Sequence, residues 1–121
     1  MATATVLRLS EDGTGFCCAP VTGAVVDVEQ AERLAHVFRA LSDPTRVRLL
    51  SLIAATAGGE ACICDLIAPV RLAQPTVSHH MKVLTEAGLT TRHQRGKWAY
   101  YRVVDAALNS VAQALAPGSA T

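Results

Sequence analysis

No apolar run in the sequence approaches the ~18 uninterrupted residues of a membrane-spanning helix, although half of its 121 residues are hydrophobic. The start, "MATATVLRLSEDGTGF", lacks the long apolar stretch of a secretory leader. Both absences lead us to expect a cytoplasmic protein with no membrane partner, in a compartment where thiols stay reduced. Aromatic residues are few: one Trp, two Tyr and two Phe. Cysteine is also scarce, with only Cys17, Cys18, Cys62 and Cys64. Near neighbours in sequence are awkward to cross-link to each other, so these four form a poor disulfide framework. Cys-x-x-Cys, a phosphate-binding glycine loop and a carboxylate pair are all missing. Nothing therefore supports a cysteine hydrolase or other thiol enzyme.

What is present suits one domain, whose core would gain from a partner subunit. The net charge of +1 is uninformative, but its distribution is not. Residues 71–102 carry Arg71, Lys82, Arg92, Arg95, Lys97 and Arg102 against the single acid Glu86, a local charge of +5. Residues 1–40 carry −2. Such a block is either a solvated face or a docking surface for phosphates.

Residues 1–26 show no sustained period and contain Gly13, Gly15, Pro20 and Gly23, which predicts a flexible arm. A folded domain is expected over 27–116, followed by a tail at 117–121. Asp27 with Gln30 has a capping-box pattern, and Ala31, Leu34, Ala35, Phe38 and Leu41 follow helical spacing. Asp43 and Pro44 start a second, more apolar helix that should be central and that Gly58-Gly59 ends. "CICDLIAPV" supports a short helix at most, interrupted by Pro69. In "LAQPTVSHHMKVLTEAGL", Pro75 suits a first turn, Val77, Met81 and Leu84 form a stripe, and Gly88 is a stop. Two β-prone stretches flank Arg95-Gly96-Lys97 and read as a hairpin with a basic tip. A last helix from Asp105 puts Leu108, Val111, Ala112 and Leu115 on one face, available with the first helix for a dimer contact or for internal packing.

The expected fold is mainly α with a β-hairpin, in the order helix, helix, short helix, helix, hairpin, helix. A short helix, a turn and a second helix with polar residues near its start is helix-turn-helix logic. Gln74, Thr76, Ser78, His79, His80 and Lys82 face away from the apolar stripe and are suited to base edges and phosphates in a major groove. Arg95 and Lys97 would lie against the backbone or minor groove beside it. Adjacent histidines point roughly 100° apart on a helix and cannot easily converge on one ion, so DNA contact or exposure for one and partial packing for the other is the better reading. Trp98, Tyr100 and Tyr101 could stack on bases, but strand alternation more often packs such rings into a core.

Cys62 and Cys64 lie ~200° apart around a regular helix, so they share an ion only where the helix has not properly begun. A helix start also favours the thiolate, the form that binds soft ions. The other reading is two small, buried, inert cysteines.

The stretches "ALSDPTRVRLLSLI", "EACICDLI", "LAQPTVSHHMKVLTEAGL" and "RGKWAYYRV", from about residue 35 to 103, resemble the ArsR/SmtB family of metal-responsive winged-helix repressors. The resemblance implies a homodimer on a palindromic operator of double-stranded DNA, released when an ion binds. It also implies that Cys-x-Cys-Asp marks a sensor of arsenite, cadmium or lead. Arm cysteines such as Cys17 and Cys18 would complete an all-sulfur site on the partner subunit's Cys-x-Cys. As(III) needs three thiolates and is the preferred inducer, with Cd(II) or Pb(II) the nearest rival; Arg95 stands where arsenic repressors have Gln. A zinc site on the last helix is disfavoured, because that helix offers Asp105 and no histidine. Asp65 could join a harder ion or cap the helix. A purely structural dimerisation module would leave the cysteines unexplained.

Overall fold

Two acidic caps set the first two helices. The computed structural model describes residues 20–117. Asp27 Oδ1 accepts from the Gln30 amide at 2.8 Å, and helix α1 follows over Val28–Leu41. Asp43 Oδ1 accepts from Thr45 at 2.8 Å and from Arg46 at 3.4 Å, starting α2 over Pro44–Ala55 with its proline in the first turn. A tight turn over Ala57–Gly59 leads into strand β1, Glu60–Cys62, and helix α3 spans Ile63–Val70. Helix α4 covers Gln74–Glu86; strands β2 and β3 cover Thr90–Arg95 and Trp98–Val103; α5 covers Asp105–Leu115.

The hairpin turns on Gly96-Lys97, with Arg95 opposite Trp98. Gly96 has φ 62°, while Lys97 stays out of the left-handed region. Positive φ at only the first of two turn residues is the arrangement that asks for glycine there. The β1 strand adds to what the sequence suggested. It pairs antiparallel with β3, Ala61 opposite Tyr101 and Cys62 opposite Tyr100, giving a three-stranded sheet ordered β1-β3-β2. Three residues are too few to show a period, and their partners lie some forty residues on.

Leu49 and Ile53 of α2 are fully buried, together with Leu66, Val77, Met81, Leu84 and Leu89. The second helix is thus central, as its composition predicts. Helix α3 runs through Pro69 rather than stopping there. The proline sits in the last turn, so little helix remains for it to break. Helix α4 ends as Gly88 predicts: Leu89 donates to Leu84 O and Gly88 to Thr85 O, both at 3.0 Å, with Gly88 at φ 83°. These two bonds are a Schellman motif.

Two apolar stripes are divided differently from expectation. In α1 the buried positions are Gln30, Leu34, Val37 and Ala40, while Ala35, Phe38 and Leu41 are only half covered and Ala31 is exposed. In α5 the buried positions are Ala107, Ser110, Val111 and Ala114; Ala112 and Leu115 are exposed and Leu108 is half covered. Apolar residues circle both helices, so the stripe alone could not say which part faces the core. A leftover apolar surface remains. Val21, Val26, Ala31, Leu34, Ala35 and Phe38 line a shallow depression on it. The Val21 amide donates to Ala114 O at 2.8 Å, which fastens the end of the expected arm to α5.

Candidate nucleic-acid interface and thiol site

Helices α3 and α4 meet through a three-residue turn that begins at Arg71, the only non-glycine residue with positive φ (59°) among the described residues. Its amide donates to Ile67 O at 2.9 Å, closing α3. Val77, Met81 and Leu84 bury one face of α4 against the core, as their spacing predicts, which presents the opposite face outward. Gln74, Thr76, His79 and Lys82 are exposed, and Ser78 is half covered.

The sheet extends this surface. Gln74, Ser78 and Lys82 share an open groove with Arg92, Gln94 and Lys97 of the hairpin. Arg92 and Gln94 point to the same side of β2, and Arg92 Nη2 donates to Gln94 Oε1 at 2.6 Å. Arg92 enters the sequence reading only as part of the basic block, and Gln94 is not singled out there at all. Their spacing of two in a strand running beside a polar helix was the available signal.

Other candidates are placed differently. His80 turns toward α2, with Nδ1 3.0 Å from Arg46 Nη1. An arginine can only donate, so Nδ1 accepts and the ring proton sits on Nε2. Arg46 is itself tied to Ala40 O at 2.7 Å, which makes His80 the partly packed member of the histidine pair. Thr76 and His79 are exposed but do not line the groove. Arg95 is drawn across the sheet to Glu60, with Nη2 2.8 Å from Oε2. Of the aromatic rings, Tyr101 is in the core, Tyr100 is half covered and Trp98 remains 40% exposed. The core expectation therefore holds for Tyr101 and fails for Trp98, which sits at the hairpin tip beyond the reach of the core.

The thiols sit where β1 becomes α3. Cys62 is the N-cap, with extended backbone at φ −73° and ψ 148°. Its sulfur accepts from the Cys64 amide at 3.3 Å, and Asp65 Oδ2 accepts from the Cys62 amide at 3.1 Å. Asp65 thus closes a capping box. Cys62 is buried and Cys64 is exposed, so the pair spans the surface. A hydrogen bond with the Cys62 side chain is the largest influence on the Cys64 thiol. With some loss of hydration and the negative charge of Asp65, it pushes that thiol above its ordinary range. The expectation that the helix start alone favours a thiolate is therefore reversed at Cys64. A bound cation would restore it, since coordination deprotonates a thiol outright.

The donor set fits a soft ion in chemistry, with one sulfur on the extended N-cap residue and the other in the first turn of α3. Among the described residues no group of three or more Cys, His, Asp or Glu could hold a metal by itself. Cys17 and Cys18 lie outside the described residues. No described helix is long and apolar enough to cross a membrane.

A helix-turn-helix with a polar outer helix, flanked by a basic hairpin, defines the winged helix-turn-helix class of DNA-binding regulators. The profile described as "Bacterial regulatory protein, arsR family" matches residues 43–91. An uncharacterized HTH-type transcriptional regulator of Methanocaldococcus jannaschii is 38% identical, over 64% of this chain and 85% of that one. An arsenic resistance transcriptional regulator of Pseudomonas putida is 41% identical, over 64% and 65%. An arsenical resistance operon repressor of Staphylococcus aureus is 36% identical, over 69% and 78%. Among solved structures, an ArsR-like transcriptional regulator from a Rhodococcus species aligns at a TM-score of 0.61, with 28% identity over 71% of this chain and 78% of that one. A homodimeric winged helix-turn-helix DNA-binding domain from Mycobacterium bovis shares the fold at 0.60, with 22% identity over 74% and 83%. The chain belongs to the arsR family of bacterial regulatory proteins, the ArsR/SmtB family of metal-responsive transcriptional regulators. It is a DNA-binding regulator and not an enzyme.

Proposed function

We propose that the protein is a repressor that holds operator DNA as a homodimer and releases it when As(III) binds cysteine thiolates. The observation that carries this reading is the position of Cys62 and Cys64. Cys62 caps α3, the first helix of the DNA-reading pair, and Cys64 sits in its first turn, so an ion held there bears on the helix that supports α4. Gln74, Ser78 and Lys82 would enter the major groove, with Thr76 and His79 beside them. Arg92, Lys97 and Arg95 would contact the backbone. His80 would position α4 through Arg46 rather than read a base.

The leftover apolar surface of α1 and α5 would be covered by the second copy. Cys17 and Cys18 of the arm would complete the sulfur site on the partner subunit's Cys-x-Cys, a reading supported by the Val21 amide, at the foot of the arm, being held to Ala114 O of α5. Leu108→Glu would place a charge at the contact without a partner. Sedimentation should then show monomers, with operator affinity falling alongside. Val111 is a poorer test because it is already buried within one chain.

The nearest rival is Cd(II) or Pb(II), which four sulfurs would suit. Titration of the ion-free dimer with As(III), Cd(II), Pb(II) and Zn(II), while following release of a promoter duplex, decides between them. Release by none of these ions would overturn the reading. The names of the Pseudomonas and Staphylococcus relatives support arsenic.

A further inference from the structure

Arg95 ends β2, yet its guanidinium crosses β3. Nη2 donates to Glu60 Oε1 at 2.9 Å and to Oε2 at 2.8 Å, and Cζ lies 4.5 Å from the centroid of the Tyr100 ring. The register explains the reach. Glu60 faces Arg102 and Cys62 faces Tyr100, while His93 also faces Tyr100 and Arg95 faces Trp98. Alternation therefore places Glu60, Cys62, Tyr100 and Arg95 on one side of the sheet. The Glu60 side chain is 15% exposed and that of Arg95 55%, so the carboxylate is the covered partner and the arginine the one open to solvent.

A carboxylate that offers both oxygens to an arginine presents what a DNA phosphate presents. We propose that Glu60 is an internal phosphate mimic, competing with the operator backbone for Arg95 and so limiting what the hairpin contributes to DNA binding. The inference rests on the hairpin being a DNA-contacting element, as proposed above. Off DNA, Arg95 stays with Glu60; on DNA, it exchanges the carboxylate for a phosphate. Glu60 and Cys62 share a three-residue strand, so whatever fixes β1 also fixes the competitor.

The test measures binding of a promoter duplex by fluorescence anisotropy across a salt series, for wild type, Glu60→Gln, Glu60→Asp, Arg95→Ala and Glu60→Gln with Arg95→Ala. Glu60→Gln should bind about threefold tighter without ion, the scale of a well-formed exposed pair, with a salt slope steeper by about one unit. Glu60→Asp keeps the charge but loses the reach, and should shift the same way. In the Arg95→Ala background the Gln substitution should do nothing. An Arg95→Ala protein with unchanged affinity and slope overturns the role of the hairpin, and the proposal with it. A normal Arg95→Ala loss beside a Glu60→Gln protein that binds no tighter overturns the competition alone. Equal tightening by Glu60→Gln in both backgrounds does so too, since it reports only the removal of a negative charge.

Discussion

Helices α2 and α3 begin in the same way with different atoms. Asp43 caps α2 with a carboxylate oxygen that holds the Thr45 amide at 2.8 Å. Cys62 caps α3 with a sulfur that holds the Cys64 amide at 3.3 Å. Oxygen is the better acceptor, and Ser, Thr, Asp and Asn are the residues that normally fill this position. A sulfur here gives up some helix stability and gains a soft ligand. On the proposed function, α2 is a helix started for structure and α3 one started for binding.

The comparison breaks most visibly at Cys62→Ser. Serine restores an oxygen cap and removes a ligand, so operator binding should persist while ion-driven release disappears. Such couplings are typically ~1–3 kcal/mol, or about 5- to 150-fold in affinity. Thermal unfolding should move by less than the equivalent of ~1 kcal/mol. Retained release in Cys62→Ser would make the two caps alike.

Next in size is the groove, where neither cap is touched. Replacing Arg92 and Lys97 together with alanine should weaken operator binding by about tenfold and flatten its salt dependence by about one unit per lost phosphate contact. Ion binding, followed by thiolate absorbance, should not change.

Asp43→Ala is the converse of Cys62→Ser. It should cost ~1 kcal/mol of stability, seen as a fall of ~4–8 °C in Tm for a domain of this size, and leave the ion response intact. The pH dependence has a definite sign. Burial raises the Asp43 carboxyl, but the amides of Thr45 and Arg46 and the electrostatics around it, the Arg46 guanidinium included, leave it titrating below its ordinary 3.8. Its contribution is full above that value and fades as pH falls through the lowered one. The acid limb of a Tm–pH curve should therefore move in Asp43→Ala.

A pH series separates the two candidate inducers. The Cys64 thiol is held above its ordinary 9.0, so an ion binding there would meet the protonated thiol at neutral pH. Cd(II) must displace that proton, and its affinity should climb as pH rises from 6 to 8. Arsenous acid brings its own hydroxyls, which leave as water with the thiol protons. Arsenite affinity should be nearly flat over the same range, and a steep arsenite profile would contradict this balance.

Much of this architecture was legible in the chain because it is local. Asp27, Asp43, Pro44 and Gly88 act within four residues of themselves, and Val77, Met81 and Leu84 need only a helical period to share a face. The polar residues of α4 were found as the complement of that stripe, and the cysteines by type and spacing. Legibility failed wherever the partner was distant or the pattern ambiguous. Helices α1 and α5 are apolar around much of their circumference, so periodicity could not separate the face the core takes from the face left over.

The sequence by itself determined the helices and their caps, the hairpin turn at Gly96, the basic block and the presence of two thiols at a helix start. Tertiary structure alone decided that Glu60–Cys62 is a strand, since three residues have no period and hydrogen-bond to a strand some forty residues away. It also decided that Arg95 lies on Glu60, 35 positions away, and that His80 turns to Arg46, 34 positions away. Local propensity acts over a few bonds of chain, whereas these pairings form only when the core has brought separate elements into contact.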